Sequence, residues 1–244
     1  MFCVFGDIHG SQLMWKQCLT RILYEGDTIA IVGDSGIGFY GKEEESEEAF
    51  FDWLAEQPFT VLFCDGNHEN FDLLNSYPIS EWHGGRVHRI RDNILHLMRG
   101  EVFEIEGKRL FAMGGGASMD RLRRMRDHIW WKEELPSDAE ICNAFINLKK
   151  HGNQADIILT HTAPIYTVEY MLHLGKGIKD TRLREYQIGS FLQALAETIP
   201  YQKWYFGHFH IDAELWKNQY AVYHQLRNLF TGEPIDLRGR FKCE

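Results

Sequence analysis

No CxxC pair occurs in this chain of 244 residues, and its five cysteines (Cys3, Cys18, Cys64, Cys142 and Cys243) are scattered and odd in number. That speaks against a disulfide-built scaffold and predicts reduced thiols in a cytosolic protein. No long hydrophobic run is present, and no basic region precedes the apolar start MFCVFG. Neither a membrane span nor a signal peptide is therefore expected, and the expected location is cytoplasmic. A basic excess is missing as well: 26 Lys and Arg stand against 35 Asp and Glu, for a formal net charge of −9. Duplex nucleic-acid binders usually show the opposite balance. A small anionic substrate stays compatible with it, because a bound metal reverses the local sign. Repeats, low-complexity segments and linkers are also absent. With 44% hydrophobic residues, one domain over residues 1–244 with a sizeable core is expected.

What the sequence does contain is a series of short apolar runs: FCVFGD, TIAIVGD, TVLFCDGNH, DIILTHT and KWYFGHFH. Runs of this length, rich in Val, Ile, Leu and Phe, read as buried strands. Helical patterns lie between several of them. SQLMWKQCLTRILY sets Trp15, Leu19, Ile22 and Leu23 on one face. Residues 43–57 begin acidic, as suits a helix N-terminus, and stop before Pro58. The acidic run there reads as a solvated helix face. Residues 137–150 start after Pro136 and end in two lysines, and 181–198 stop short of Pro200. Residues 87–116 look instead like consecutive strands with a tight turn at Glu106–Gly107, and 211–226 like a closing hairpin turning near Lys217–Asn218. Strand–helix alternation mixed with hairpins predicts packed sheets with helices outside.

The five strand-like runs end in polar residues: Asp7 and His9; Asp34; Asn67 and His68; His161; His208 and His210. Each motif alone is an ordinary turn, cap or satisfied histidine. All of them just past the carboxyl end of a strand, where α/β sheets gather ligands, point to one shared site. Asp and His donors with an Asn oxygen suit borderline divalent ions such as Mn, Fe, Zn, Co or Ni. They are too many for one tetrahedral zinc and divide naturally between two ions sharing a carboxylate.

In their order, GDIHG, GDSG, GNHE, LTHTAP and GHFH resemble the motifs of the calcineurin-like metallophosphoesterase family, from residue 6 to residue 210. The resemblance implies an α/β fold, a two-sheet β-sandwich flanked by helices. It also implies two divalent metal ions, manganese first among them, and phosphoester hydrolysis by a metal-bound hydroxide. Carried over by position, Asp7, His9 and His210 would bind one ion and Asn67, His161 and His208 the other, with Asp34 bridging. His68 would be the catalytic residue facing the substrate, holding a phosphate oxygen or protonating the leaving group.

Two departures separate the chain from the family's protein-phosphatase branch. Ile37 stands where that branch usually has a second Asp, and Asp65 where it has an Arg. Both leave open what orients His68, with Asp65 and Glu69 as candidates. Phe209, where many relatives have a small hydroxyl residue, is expected to pack beneath the site or shape its floor. The stretch GGGASMDRLRRMRDHIWW is similar to bacterial and phage members of the family. Its glycines offer backbone N–H groups to the site, and its arginines are either a solvated basic face or a clamp for a second phosphate. Arg121 and Arg124, three apart, are the candidate substrate-binding pair. Trp130 and Trp131 read as packing residues. In residues 165–180, Lys176 or Lys179 could reach phosphate from a flap, or the segment is a surface connection. The expected substrate is a small phosphoester such as a nucleotide, cleaved as a monoester or a diester. Two alternatives stand beside it: a nuclease-like phosphodiesterase on DNA or RNA, and a non-catalytic metal-binding scaffold. The oligomeric state is open.

Overall fold

The computed structural model describes residues 1–36, 45–173 and 182–236. Ile37, Lys176, Lys179 and Cys243 lie outside these residues. In chain order the described strands are β1 (Phe2–Phe5), β2 (Thr28–Val32), β3 (Thr60–Cys64), β4 (Ile79–Trp82), β5 (Gly85–Arg91), β6 (Ile94–Leu97), β7 (Glu101–Ile105), β8 (Lys108–Met113), β9 (Ile157–Thr160), β10 (Lys203–Phe206), β11 (Ala213–Glu214), β12 (Gln219–Ala221) and β13 (Arg227–Asn228). They form two sheets, ordered β13-β1-β2-β3-β6-β5-β4 and β11-β12-β10-β9-β8-β7. β1, β2, β3 and β6 run parallel in the first sheet, and β8, β9, β10 and β12 in the second. Hairpins extend the edges.

The continuous apolar runs follow from burial on both faces. Alternate residues Phe2, Val4, Ala30, Val32 and Leu62 meet Leu110, Ala112, Ile157, Leu159 and Tyr205 of the other sheet in a core between the two. The remaining alternates, Cys3, Phe5, Ile29, Ile31 and Phe63, face outward under Trp15, Leu19, Phe51 and Leu54 of the flanking helices. A similar outer layer covers the second sheet, where Ile188, Leu192 and Leu195 pack on Trp204 and Phe206. The architecture is the helix-flanked double sheet expected.

Local chemistry explains most boundaries. Ser137 caps the helix Asp138–Lys150 in a reciprocal capping box with Glu140. The Glu106–Gly107 turn has φ of 51° and 74°, the left-handed pair that a two-residue hairpin needs. Lys217 and Asn218 likewise turn at φ 51° and 57° ahead of β12. The helices Glu45–Ala55 and Arg182–Thr198 fall where the pattern put them. Over 12–22 the helix is broken into two short α turns around a π-helical stretch, Trp15–Leu19, yet Trp15, Leu19, Ile22 and Leu23 are all buried as expected. β4 is additional to the expectation: its side chains are exposed or half-buried, so it lacks the apolar signal of the inner strands. The segment 165–173 is helical, and RLRRMR forms the short helix Arg121–Arg126. Among the described residues no helix is long and apolar enough to cross a membrane. Cys3, Cys18, Cys64 and Cys142 are free thiols.

Candidate metal centre

The carboxyl ends of β1, β2 and β3 in one sheet face those of β9 and β10 in the other, so residues distant in sequence meet. His9 Nε2 lies 3.0 Å from His210 Nε2, across 201 positions of chain. With Asp7 these two make one group of possible metal ligands; Asp7, Asp34 and His161 make another. Asp34 reaches both groups, with Oδ2 3.8 Å from His9 Nδ1 and Oδ1 3.6 Å from His161 Nε2. Asn67 Oδ1 and His208 Nδ1 stand 2.9 and 3.1 Å from the same His161 Nε2. All seven sequence-predicted ligands are thereby brought together.

Backbone conformation is part of the construction. His9, Asp34, His208 and His210 all have positive φ, between 45° and 67°. Such strain gathers where the surrounding structure imposes a position on a functional side chain. Glycines give the clearance. A Cβ on Gly33 would fall 2.0 Å from His161 Nδ1, and one on Gly66 2.0 Å from Asp34 Oδ1. Gly33→Ala should therefore destabilise the metal-free protein by about 2–4 kcal/mol, combining overpacking with an alanine at φ 90°. Urea denaturation of the stripped protein measures this, and an unchanged midpoint would contradict it.

The donor chemistry fits cations. Asp7 and Asp34 are 4% and 1% exposed, and among the described residues no Lys or Arg forms an ion pair with either. Burial, reinforced by Asp34, pushes the Asp7 carboxyl well up. Burial acts on Asp34 in the same sense, but the imidazoles of His161, His68, His9 and His208 outweigh it and hold Asp34 below the usual carboxylate range. His161 gives the sharper test. Its Nδ1 faces Val32 O at 3.0 Å and its Nε2 faces Asn67 Oδ1 at 2.9 Å. The Asn67 amide is oriented by Ser118: Nδ2 donates to Ser118 Oγ, which itself donates to Glu134. Neutral His161 can donate to only one of its two oxygen neighbours. With Nδ1–H on Val32, the Nε2 lone pair faces the lone pairs of the Asn67 oxygen, an arrangement that a cation between them satisfies.

His68 lies at the edge of this group. Its backbone N–H donates to Asp34 Oδ1 at 2.8 Å, and its ring packs edge-on to His9. Neither Asp65 nor Glu69 orients it. Asp65 is taken by Arg99, which donates from Nε at 2.9 Å, and by His96 at 3.0 Å. Glu69 accepts from the backbone N–H of Ser35 at 3.0 Å and of Gly66 at 3.4 Å, and burial pushes its carboxyl up to about 8. The partner of His68 is Arg124, whose Nη1 donates to Nδ1. Burial, then the Arg124 charge, lowers the His68 pKa against the opposing pull of Asp34.

The candidate arginines thus part company. Arg124 is 4% exposed and turned in to His68, whereas Arg121 lies 4.5 Å over the Trp130 ring. The glycines after β8 do not present a row of free N–H groups to the site. Gly115 N donates to Asp65 O and Gly116 N to Glu134 O. Their role is close approach: a Cβ on Gly116 would be 2.9 Å from the His161 ring. Phe209 packs edge-on against His208 and Phe206. Trp131 reaches Asp72 with its indole N–H at 2.7 Å while packing on the core. Sequence reasoning missed Ser118, Glu134 and Tyr223, whose ring stacks on His210 at 4.8 Å. Their partners are set by tertiary proximity and leave no local pattern.

Comparison with curated proteins finds no match to this chain. The family model described as calcineurin-like phosphoesterase matches residues 1–212, a span that holds His68 and all seven candidate metal ligands. The chain belongs to the calcineurin-like phosphoesterase family and is a metal-dependent phosphoester hydrolase.

Proposed function

We propose that the protein hydrolyses a small phosphoester such as a nucleotide with two divalent ions, manganese first among them. Asp7, His9 and His210 hold one ion, Asn67, His161 and His208 the other, and Asp34 bridges. The observation that supports this most directly is the pair of ligand groups joined by Asp7 and spanned by Asp34. When bound, such ions polarise the phosphoryl group and lower the pKa of an attacking water. The side chains orient what reacts. Arg124 donates to His68 Nδ1, so the neutral ring keeps its proton on Nε2. An N–H there is a hydrogen-bond donor for a phosphoryl oxygen. A nearby guanidinium disfavours the imidazolium that a general acid would need. Of the two roles the resemblance implies for His68, this arrangement favours holding an oxygen. Arg121, beside Trp130, is the proposed contact for a second phosphate or a diester arm.

The test uses metal-stripped protein reloaded with Mn²⁺, assayed on p-nitrophenyl phosphate and bis-p-nitrophenyl phosphate. Turnover of either ester supports the reading. Silence on both with two ions bound per chain would defeat it. His68→Ala should keep both ions and lose about 10²–10³ in kcat. Across aryl esters of rising leaving-group pKa, that loss should stay constant. A loss that grows along the series would reassign His68 as the acid. Arg124→Ala should lower kcat on the same esters with little change in KM, since it acts through His68.

A nuclease-like reading draws on one observation. Arg123 and Arg126 stand exposed on the same short helix as Arg124. A steep salt dependence of oligonucleotide binding would favour it.

A further inference from the structure

A cavity of about 640 Å³ opens where Phe71 and Leu74, the segment 132–137 and the β5–β6 pair meet. None of the seven candidate metal ligands lines it. Asn75, Lys132 and Ser137 at its rim are exposed, while Asp65, His88, His96 and Arg99 on its floor are buried. Phe71, Leu74, Met98, Leu135 and Pro136 supply apolar walls. Its size is that of a small-molecule site.

The floor is a hydrogen-bonded chain with a defined direction. Arg99 donates to Asp65 Oδ2 from Nε and Nη2 at 2.9 and 2.5 Å. The other oxygen, Asp65 Oδ1, lies 3.0 Å from His96 Nε2, which must carry a hydrogen to face a carboxylate. His88 sits directly across from His96 on the neighbouring strand, with Nδ1 3.0 Å from Nδ1 and ring planes 10° apart. Arg99 already balances Asp65, and burial opposes a second positive charge. His96 Nδ1 is then the acceptor and His88 Nδ1 the donor. Burial pushes the His88 pKa down to about 4, so the ring is neutral. Its Nε2 is left with a bare lone pair. His88 is 4% exposed, lines the cavity, and forms its one hydrogen bond through Nδ1 among the described residues. His88 lines the cavity, so a donor on a ligand held between the apolar walls satisfies that lone pair.

The same chain says what kind of ligand fits. A phosphate is poorly suited. Besides Asp65, Arg99 donates to Glu133 O at 2.7 Å and to Glu140 at 3.4 Å, so the floor has no spare cationic donor. A flat, uncharged ring with an N–H matches both the acceptor and the apolar walls. We propose that this cavity is a second small-molecule site, separate from the metal centre, that binds a nucleobase-like heterocycle by an N–H donated to His88 Nε2. The proposal does not depend on which phosphoester the metal centre cleaves.

The test is calorimetric titration of the metal-free full chain with adenosine, guanosine, cytidine and uridine, with ribose and inorganic phosphate as controls. At least one nucleoside should bind, and neither control should. His88→Phe, which keeps a ring and removes the acceptor, should weaken binding about tenfold or more. Its metal content and aryl-ester turnover should match the parent. Asn75→Trp, at the exposed rim, should block binding by filling the mouth and decides the matter if His88→Phe fails to fold. The ¹⁵N shift of His88 Nε2 should read as unprotonated and move on saturation. Four outcomes would overturn the proposal: no nucleoside binding at millimolar concentration, unchanged affinity in both variants, a protonated Nε2, or displacement of the nucleoside by Mn²⁺ with an aryl phosphate.

Discussion

Asp34→Asn should reduce kcat/KM on either aryl ester by about 10³-fold or more and lower the metal content from two ions per chain to one or none. The substitution keeps the shape of the side chain and removes its charge. Asp34 is the carboxylate whose two oxygens reach toward His9 on one side and His161 on the other. Its Oδ1 also accepts the His68 backbone N–H at 2.8 Å, so the same atom sets the start of the GNHE turn. A neutral amide can still accept that bond, so the fold should survive while the ions are lost. Elemental analysis by mass spectrometry after dialysis gives the metal count, and circular dichroism gives the fold. A variant that keeps both ions and full turnover would remove Asp34 from the centre.

Arg99→Met should destabilise the metal-free protein by about 3–5 kcal/mol at neutral pH, because it leaves the buried Asp65 carboxylate without its guanidinium and with only the His96 N–H as partner. Both partners are deeply buried, at 1% and 6% exposure, and joined by two hydrogen bonds. Burial works against the Asp65 carboxylate, but Arg99 and His96 outweigh it and hold its pKa well below the usual carboxylate range. The sign of the pH effect follows. A depressed folded pKa contributes stability that is fully present above the unfolded value of about 4 and is lost as pH falls through the folded value. The cost of Arg99→Met should accordingly be largest at neutral pH and shrink on acidification, as Asp65 in the variant takes up a proton. Urea titrations of both proteins between pH 4 and 7 measure it. A cost that grew toward acid pH would contradict this account.

The five strand ends that carry the centre were legible because the information is local. An apolar run followed at once by Gly and a polar side chain marks a buried strand and its exit. The family resemblance rests on the same five stretches, and the family match covers all of them. The long helices were legible for a similar reason: Ser137, Glu140 and the terminal lysines of Asp138–Lys150 signal within one turn. β4 was not, since its half-exposed side chains carry no strand-like apolar run.

The amino-acid sequence by itself determined which residues stand at strand ends, the two-sheet class of fold, and the set of candidate metal donors. The tertiary structure alone decided how those donors meet and what stands behind them. His9 touches His210 because β1 and β10 end at the same edge of the sandwich, not because of any spacing. Arg124 in place of Asp65 or Glu69 beside His68, the turning of Asn67 by Ser118, and the directed chain from Arg99 to His88 depend likewise on contacts between remote residues. A hydrogen bond needs two atoms about 3 Å apart, and across tens of residues of chain that distance is fixed by sheet order and register, which no local pattern encodes.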